Sequence, residues 1–388
     1  MGQQERQKTP EGRAIETPVE VALHVGKMKG GGVEATMLSY VQNIDRSMIH
    51  YTVIVDEDST VIPSDEFAAC GTDLVIVPPY QRVFAYHKAL YSLCKEKQFD
   101  VFHTNINTLS VFPLFAAWRA GIPVRINHNH NTAGKGEWKR NIAKYILRPF
   151  GKVFATELCG CSEYAGRWMF GKKASITVMP NAIDFNYREY TYRMEDRIRL
   201  RRELDLEKTF VIGHVGRFIP QKNHPFLIEV FSEIAKRRPD SRLLVIGTGA
   251  DMKAVQEKAA QMGLTDKIVF AGQRHDVAKL YSAMDVLLLP SLYEGKPLVP
   301  MEAQYSGLCC IVSDCVTKEI VISDELVHFV SLNEHASHWA EVTLSAMTKV
   351  SPRDTFEPDS EKQKRMDNVL PPEQLSNWYV GLCKAKGQ

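Results

Sequence analysis

A chain of 388 residues is too long for one ordinary hydrophobic core, and its length suits two domains of conventional size. With 44% hydrophobic and 24% charged residues it has the composition of a globular enzyme, not of a disordered or fibrous protein, and a net charge of +2 gives no footprint for a nucleic-acid partner. No apolar run reaches the roughly eighteen residues of a bilayer-spanning helix, and the start of the chain lacks the apolar centre of a signal peptide, so a cytoplasmic protein is expected.

Residues 1–18 are polar and aperiodic, which predicts a mobile tail. Apolar runs then alternate with helical patterns: VEVALHV, EATMLSYVQNI, HYTVIV, VFAYHKALYSLCKEK, VFHTN, LSVFPLFAAWRAG and VRINHN. The charged stretch YREYTYRMEDRIRLRRELDLEKTF interrupts the rhythm, which resumes with FVIGHV, FLIEVFSEIAKRR, RLLVIG, DMKAVQEKAAQMG, KIVFAG, DVAKLYSAM, VLLLP, MEAQYSG and CCIVSD. Strand and helix in turn predict two α/β, doubly wound Rossmann-like domains, residues 19–185 and 186–370, facing across a cleft. Residues 371–388 carry Leu375, Trp378, Tyr379 and Leu382 at helical spacing. In such sheets ligands bind beyond the carboxyl ends of the strands. The eight cysteines include no C-x2-C pair, and Cys159/Cys161 and Cys309/Cys310 lie in apolar runs, so reduced thiols and no structural zinc are expected.

Several groups of residues fall at those strand ends. Lys27 to Glu34, KMKGGGVE, places glycines where a backbone can approach an anion, although a glycine run is more often a tight turn. His103 ends one strand; His128 and His130, in NHNHNT, end another and border the cleft. Arg217 and Lys222, in GRFIPQKN, could reach one diphosphate from a loop, or be a solvated surface pair. Asp56 and Asp58 form a D-x-D that reads more simply as an acidic turn.

In SLYEGKPLVPMEAQYSG, Glu294 and Glu302 are eight positions apart. On a continuous helix they would lie about 12 Å apart along the axis and about 80° apart around it, so i,i+4 pairing does not explain them. A loop entering a helix does: Pro300 suits its first position and Gly307 its stop, and the unpaired amides near Leu298 and Val299 would face an anion with one acid on either side.

These strings, with FDVFHTN, CSEYAGRWMFG, VMPNAID, LLVIGTG and VFAGQRHDV, cover about residues 20–330 and resemble the retaining GT-B glycosyltransferases of family 4, in particular the exopolysaccharide and capsule branch. The resemblance implies a metal-independent transfer of a hexosyl unit from a nucleotide sugar, UDP-linked, to a hydroxyl of a polysaccharide or lipid-linked oligosaccharide, with no cofactor. It implies that Gly31 and Gly32 lie beside the diphosphate and the acceptor. His128 stands beside the reacting sugar, Arg217 and Lys222 stabilise the leaving diphosphate, Glu294 binds sugar hydroxyls and Glu302 ribose hydroxyls. Backbone groups of Arg274 read the base, Leu298 and Val299 line the donor site, and His103, His130 and Asn181 belong to the acceptor side or cleft. The last helix crosses back to the first domain.

The chain departs from the family's pattern at Lys296, Pro300 and Cys309, and Lys296 could add a phosphate contact, alter donor choice or be a surface residue. Residues 134–152 place Trp138, Ile142, Tyr145 and Ile146 on one face among Lys139, Arg140, Lys144 and Arg148. That segment either rests on the inner face of the cell membrane, against anionic lipid, or packs on the sheet. A nucleotide-sugar epimerase of the same architecture is the alternative enzyme. A metal hydrolase built on His128 and His130 lacks further placed ligands, and a non-catalytic sugar-binding protein does not account for the acids and cations.

Overall fold

The computed structural model describes residues 17–30, 32–132, 138–179, 190–347, 353 and 372–387. The tail's first sixteen residues, Gly31 and Asn181 lie outside them, as do the side chains of Trp138, Lys139 and Arg140.

The first sheet contains β1 (Val19–Gly26), β2 (Ile49–Asp56), β3 (Asp73–Val77), β4 (Val101–Thr104), β5 (Val124–Asn129), β6 (Glu157–Gly160) and β7 (Thr177–Val178). All pair in parallel, in the order β3-β2-β1-β4-β5-β6-β7. The second contains β8 (Phe210–Val215), β9 (Ser241–Ile246), β10 (Ile268–Gly272), β11 (Val286–Leu289), β12 (Cys309–Ser313) and β13 (Val327–Val330), parallel in the order β10-β9-β8-β11-β12-β13. Strand order reverses between β1 and β4 and between β8 and β11, and a doubly wound sheet opens a crevice at such a point.

Strands covered on both faces must be apolar along their whole length, and VEVALHVG and VLLL are almost continuously buried. The helices of the first lobe are α1 (Gly32–Gln42), α2 (Ser64–Ala69), α3 (Val83–Lys97), α4 (Val111–Ala120), α5 (Trp138–Leu147) and α6 (Glu163–Phe170). The chain then forms α7 (Met194–Glu203), α8 (His224–Arg237), α9 (Met252–Gln261), α10 (Val277–Ala283), α11 (Val299–Tyr305), α12 (Ala336–Ala346) and α13 (Pro372–Ala385). Helix α13 crosses back as expected: Leu375, Tyr379, Val380 and Cys383 join the first-lobe core around Val21, Leu23 and Val53. Each such buried side chain is worth about 1.5–3 kcal/mol.

Strands β3, β6, β7 and β13 are absent from the alternation read in the sequence; they are short, between two and five residues. The charged stretch between the two series of strands is not merely a connector. Leu200 of α7 is buried in a second-lobe cluster with Leu280 of α10, and Arg197 and Arg201 grip the two oxygens of Asp285 at 2.6 and 2.7 Å. None of the eight cysteines is in a disulfide, and all but Cys315 are buried. Among the described residues no helix is long and apolar enough to cross a membrane.

Among the described residues the lobes meet through a set of polar contacts. Ser162 Oγ donates to the Gly295 carbonyl at 3.2 Å, Asn131 Nδ2 reaches Gln221 Oε1 at 3.4 Å, and the Tyr164 amide at the start of α6 donates to Glu319 at 3.2 Å.

Candidate active site

The β8–α8 loop supplies the cations. Arg217 follows the strand and is exposed, with no side-chain hydrogen bond or ion pair among the described residues. Lys222 ends the short turn Pro220–Lys222, where Asn223 at φ 54° redirects the chain into α8. Its Nζ lies 2.7 Å from Glu294 Oε1, while Gln221 Nε2 donates to Glu294 Oε2 at 2.9 Å and to the Tyr293 carbonyl at 3.0 Å. Residues 72 positions apart in sequence thus form one part-buried ion pair beside a free guanidinium.

Helix α11 opens at Val299, with Leu298 as its N-cap and Pro300 in its first turn. At seven residues it is too short for a full macrodipole, so any pull on an anion comes from its first, unsatisfied amides. Glu302 receives the Tyr281 hydroxyl on Oε2 at 2.5 Å. Burial raises its carboxyl pKa, with the Tyr281 bond and the Lys222 charge opposing. The glycine loop after β1 faces these elements: a β-carbon on Gly32 would lie 3.6 Å from Leu298 Cδ1, and one on Gly30 would lie 3.4 Å from Gln273 Nε2. Arg274 is held by Asp276 through two 2.8 Å bonds and by Glu203 at 2.9 Å, so its side chain is occupied and its backbone remains the available part.

The histidines form a cluster at the carboxyl ends of β4 and β5. His128 Nδ1 is 3.1 Å from His103 Nε2, His103 Nδ1 is 2.7 Å from the Tyr379 hydroxyl, and His130 Nε2 is 2.9 Å from Asn105 Oδ1. The His128 and His130 rings are 4.0 Å apart. Burial, then the neighbouring imidazoles, keeps His128 well below the usual histidine range; burial, then His130, pushes His103 down to about 3. Both are therefore neutral near pH 7. His103, expected in the cleft, is fully buried, as is His128, and both of its ring nitrogens are engaged, by the Tyr379 hydroxyl and by His128.

Helix α5, read in the sequence as amphipathic with apolar residues among basic ones, turns two of those basic side chains to partners within the fold. Lys144 turns inward, donating to the Thr132 carbonyl at 3.2 Å and sitting 5.0 Å over the Tyr293 ring, and Arg148 lies 5.3 Å over the Trp168 ring. Ile142, Tyr145 and Ile146 are more than half exposed. Lys296 is not a surface lysine either: it is partly buried, which lowers its pKa, while the Glu319 carboxylate favours its charged form. In the D-x-D turn Asp58 pairs with Lys27, and among the described residues no three His, Cys, Asp or Glu side chains converge as a metal site.

Sequence reasoning passed over Gln221 and Tyr281, whose roles depend on partners in other elements. It also passed over His214 and His224, buried below Lys222 with rings 4.7 Å apart. Only their place in the strand-end loop, HVGRFIPQKNH, could have drawn attention to them.

Two family models match the two lobes: Glycosyltransferase Family 4 over residues 30–187 and Glycosyl transferases group 1 over residues 196–362. EpsF of Bacillus subtilis (strain 168), named as a glycosyltransferase, is 31% identical over 344 residues, covering 86% of this chain and 89% of the relative. The Escherichia coli UDP-Gal:alpha-D-GlcNAc-diphosphoundecaprenol alpha-1,3-galactosyltransferase is 29% identical, covering 63% of this chain and 66% of that one. Among solved structures, Anabaena HepE in complex with UDP superposes with a TM-score of 0.74 at 17% identity over 94% of this chain and 100% of that chain. WaaG, a glycosyltransferase involved in lipopolysaccharide biosynthesis, gives 0.65 at 18% over 93% and 100%; at these identities both speak for the GT-B fold alone. With the two lobes matched by the family models and nine-tenths of EpsF covered, the chain belongs to the glycosyltransferases of family 4.

Proposed function

We propose that the protein is a retaining, metal-independent hexosyltransferase that moves a sugar from a UDP-linked donor to a hydroxyl of a polysaccharide or lipid-linked oligosaccharide. The observation that carries this reading is the Lys222–Glu294 pair at 2.7 Å with Arg217 unpaired on the same loop. A sugar diphosphate needs an acid for its hydroxyls and cations for its phosphates, and here both sit where the lobes meet. Relatives support the substrate class: the E. coli enzyme is named for a UDP-Gal donor and a lipid-linked acceptor, and HepE has been crystallised with UDP-glucose. The relatives are named as transferases and lend nothing to the epimerase alternative.

In this reading the acceptor oxygen attacks the anomeric carbon from the face the diphosphate leaves. The bond from that carbon to the phosphate oxygen breaks, the bond to the acceptor oxygen forms, and the departing phosphate takes the acceptor's proton. Arg217 and Lys222 stabilise the charge that develops on the diphosphate. Leu298 and Val299 offer amides to it, Gly32 allows donor and acceptor to approach, and His128 stands by the sugar with His130 towards the acceptor; the parts expected of Gly31 and Asn181 fall on residues outside those described. Glu302 holds the ribose, and the Arg274 backbone reads the base. Lobe closure along the Ser162–Gly295 seam excludes water and limits hydrolysis.

A panel of nucleotide sugars with and without chelator tests this reading. A UDP-sugar is expected to raise the melting temperature, to release UDP only with acceptor present, to do so in chelator, and to give a product of unchanged anomeric configuration. Release of an isomerised donor without acceptor would favour the epimerase, and loss of turnover in chelator would end metal independence.

The same proposal places the protein in the cytoplasm, on the inner face of the membrane, through residues 134–152. The exposed Ile142, Tyr145 and Ile146, continued by Phe150 and Val153, support an apolar contact. Cosedimentation with anionic vesicles that persists in Ile142→Ser/Ile146→Ser would remove this part.

A further inference from the structure

We infer that Tyr379 and His103 are positioning residues that fix His128 in its Nε2–H tautomer, so that one ring N–H is presented to the sugar; the sugar's presence there rests on the function proposed above. The Tyr379 hydroxyl, His103 and His128 form a series of contacts at 2.7 and 3.1 Å, with Tyr51 also beside the Tyr379 hydroxyl, and all three side chains of the series are fully buried. The far end is His128 Nε2, which is buried without a hydrogen bond of regular geometry among the described residues, while the Met179 backbone beside the ring favours a proton there.

Each imidazole in this setting is neutral and carries one ring proton, because burial disfavours the charged form. One choice of direction therefore sets every proton in the series. A phenol is a good donor and an imidazole nitrogen a good acceptor, so the Tyr379 O–H donates to His103 Nδ1. The His103 proton is then on Nε2 and donates to His128 Nδ1, which leaves the His128 proton on Nε2. Reversed, the series would place a bare lone pair at the far end, useless for donating to a sugar oxygen. The rings of His103 and His128 stack at 5.2 Å and 23°, and Trp378 meets His103 edge-on at 6.4 Å, so neither ring can turn freely. The phenol comes from α13, 276 positions after His103. The crossover helix thereby contributes to the state of the site as well as to the core.

The test uses the full chain labelled with ¹⁵N-histidine, reading ring tautomers from two-bond ¹H–¹⁵N correlations and assigning His128 by the signals lost in His128→Gln. The wild type is expected to show His128 as the Nε2–H form. Tyr379→Phe keeps the packing and removes the donor; it is expected to give a mixture of His128 tautomers and to lower kcat about 10- to 100-fold, with the UDP affinity unchanged. An Nδ1–H form in the wild type overturns the inference, as does a Tyr379→Phe protein with unaltered tautomer and turnover. Should that variant fail to fold, the wild-type spectrum alone decides. Absence of any nucleotide-sugar turnover would sink the proposed function while leaving the tautomer result standing.

Discussion

Lys222 Nζ and Glu294 Oε1 meet at 2.7 Å with only 15% and 9% of their side chains exposed, so each is the other's main compensation for lost water. Removing one partner strands the other. Glu294→Ala is expected to cost about 1–3 kcal/mol of stability, more than Glu294→Gln, and the double variant with Lys222→Ala should recover part of it. Turnover should behave differently: Lys222→Ala loses about 10²- to 10³-fold in kcat, and the double variant recovers none. Urea unfolding and steady-state rates on the wild type and the four variants check this, and additive stabilities would mean that the pair is not coupled.

The bond between Tyr281 and Glu302 has a consequence in pH. Burial raises the Glu302 pKa and the Tyr281 bond opposes the rise. A carboxyl raised in the folded state costs stability as pH climbs from its unfolded pKa towards its folded one, rather than adding any. Ribose binding needs the ionised form, so donor KM should worsen as pH falls through that raised pKa. Tyr281→Phe removes a bond that favours ionisation and should shift this acid limb to higher pH. A limb that stays in place in Tyr281→Phe would separate Glu302 from donor binding.

Strands such as VEVALHVG and VLLL were legible because both faces are buried, which forces a continuous apolar run. β7, two residues long, offers no pattern to read. The positions of Glu294, Lys222 and Arg217 could be named from motif spacing, but not that Lys222 and Glu294 pair. His103 looked like a cleft residue because it ends a strand; whether a strand end opens to the cleft or is roofed by α13 depends on contacts far away in sequence. Lys144 looked like part of a basic face, and its turn toward Tyr293 is set by the other lobe.

Gly295 lies so close to the first lobe that a β-carbon there would be 2.1 Å from the His130 carbonyl oxygen and 2.7 Å from its carbon. Backbone atoms cannot yield as a flexible side chain does. The strain can be relieved by parting the lobes, because the contact lies between them. Gly295→Ala is therefore expected to fold, to show a larger radius of gyration by small-angle scattering, and to lose turnover. A compact, fully active variant would mean that this seam is not needed for the reaction.

Asp56, at the end of β2, is 3% exposed and its Oδ1 has no hydrogen-bond partner among the described residues. Burial, then the Asp58 charge, raises its pKa to about 7, against the opposing pull of Lys27. The folded chain therefore holds this proton more tightly than the unfolded chain, whose carboxyl titrates near 3.8. Stability is highest below about pH 4 as far as this group is concerned and falls as pH rises towards 7, where the folded protein too must ionise a buried acid. Asparagine keeps the shape and cannot ionise, so Asp56→Asn should match the wild type near pH 4 and exceed it by about 2 kcal/mol at pH 8, roughly half of an unrelaxed shift of this size. Asp58→Asn removes the like charge beside it and should move the wild-type window to lower pH. Melting curves for the three proteins from pH 4 to 8 decide the matter: equal slopes against pH would place the Asp56 charge in water, not in the core.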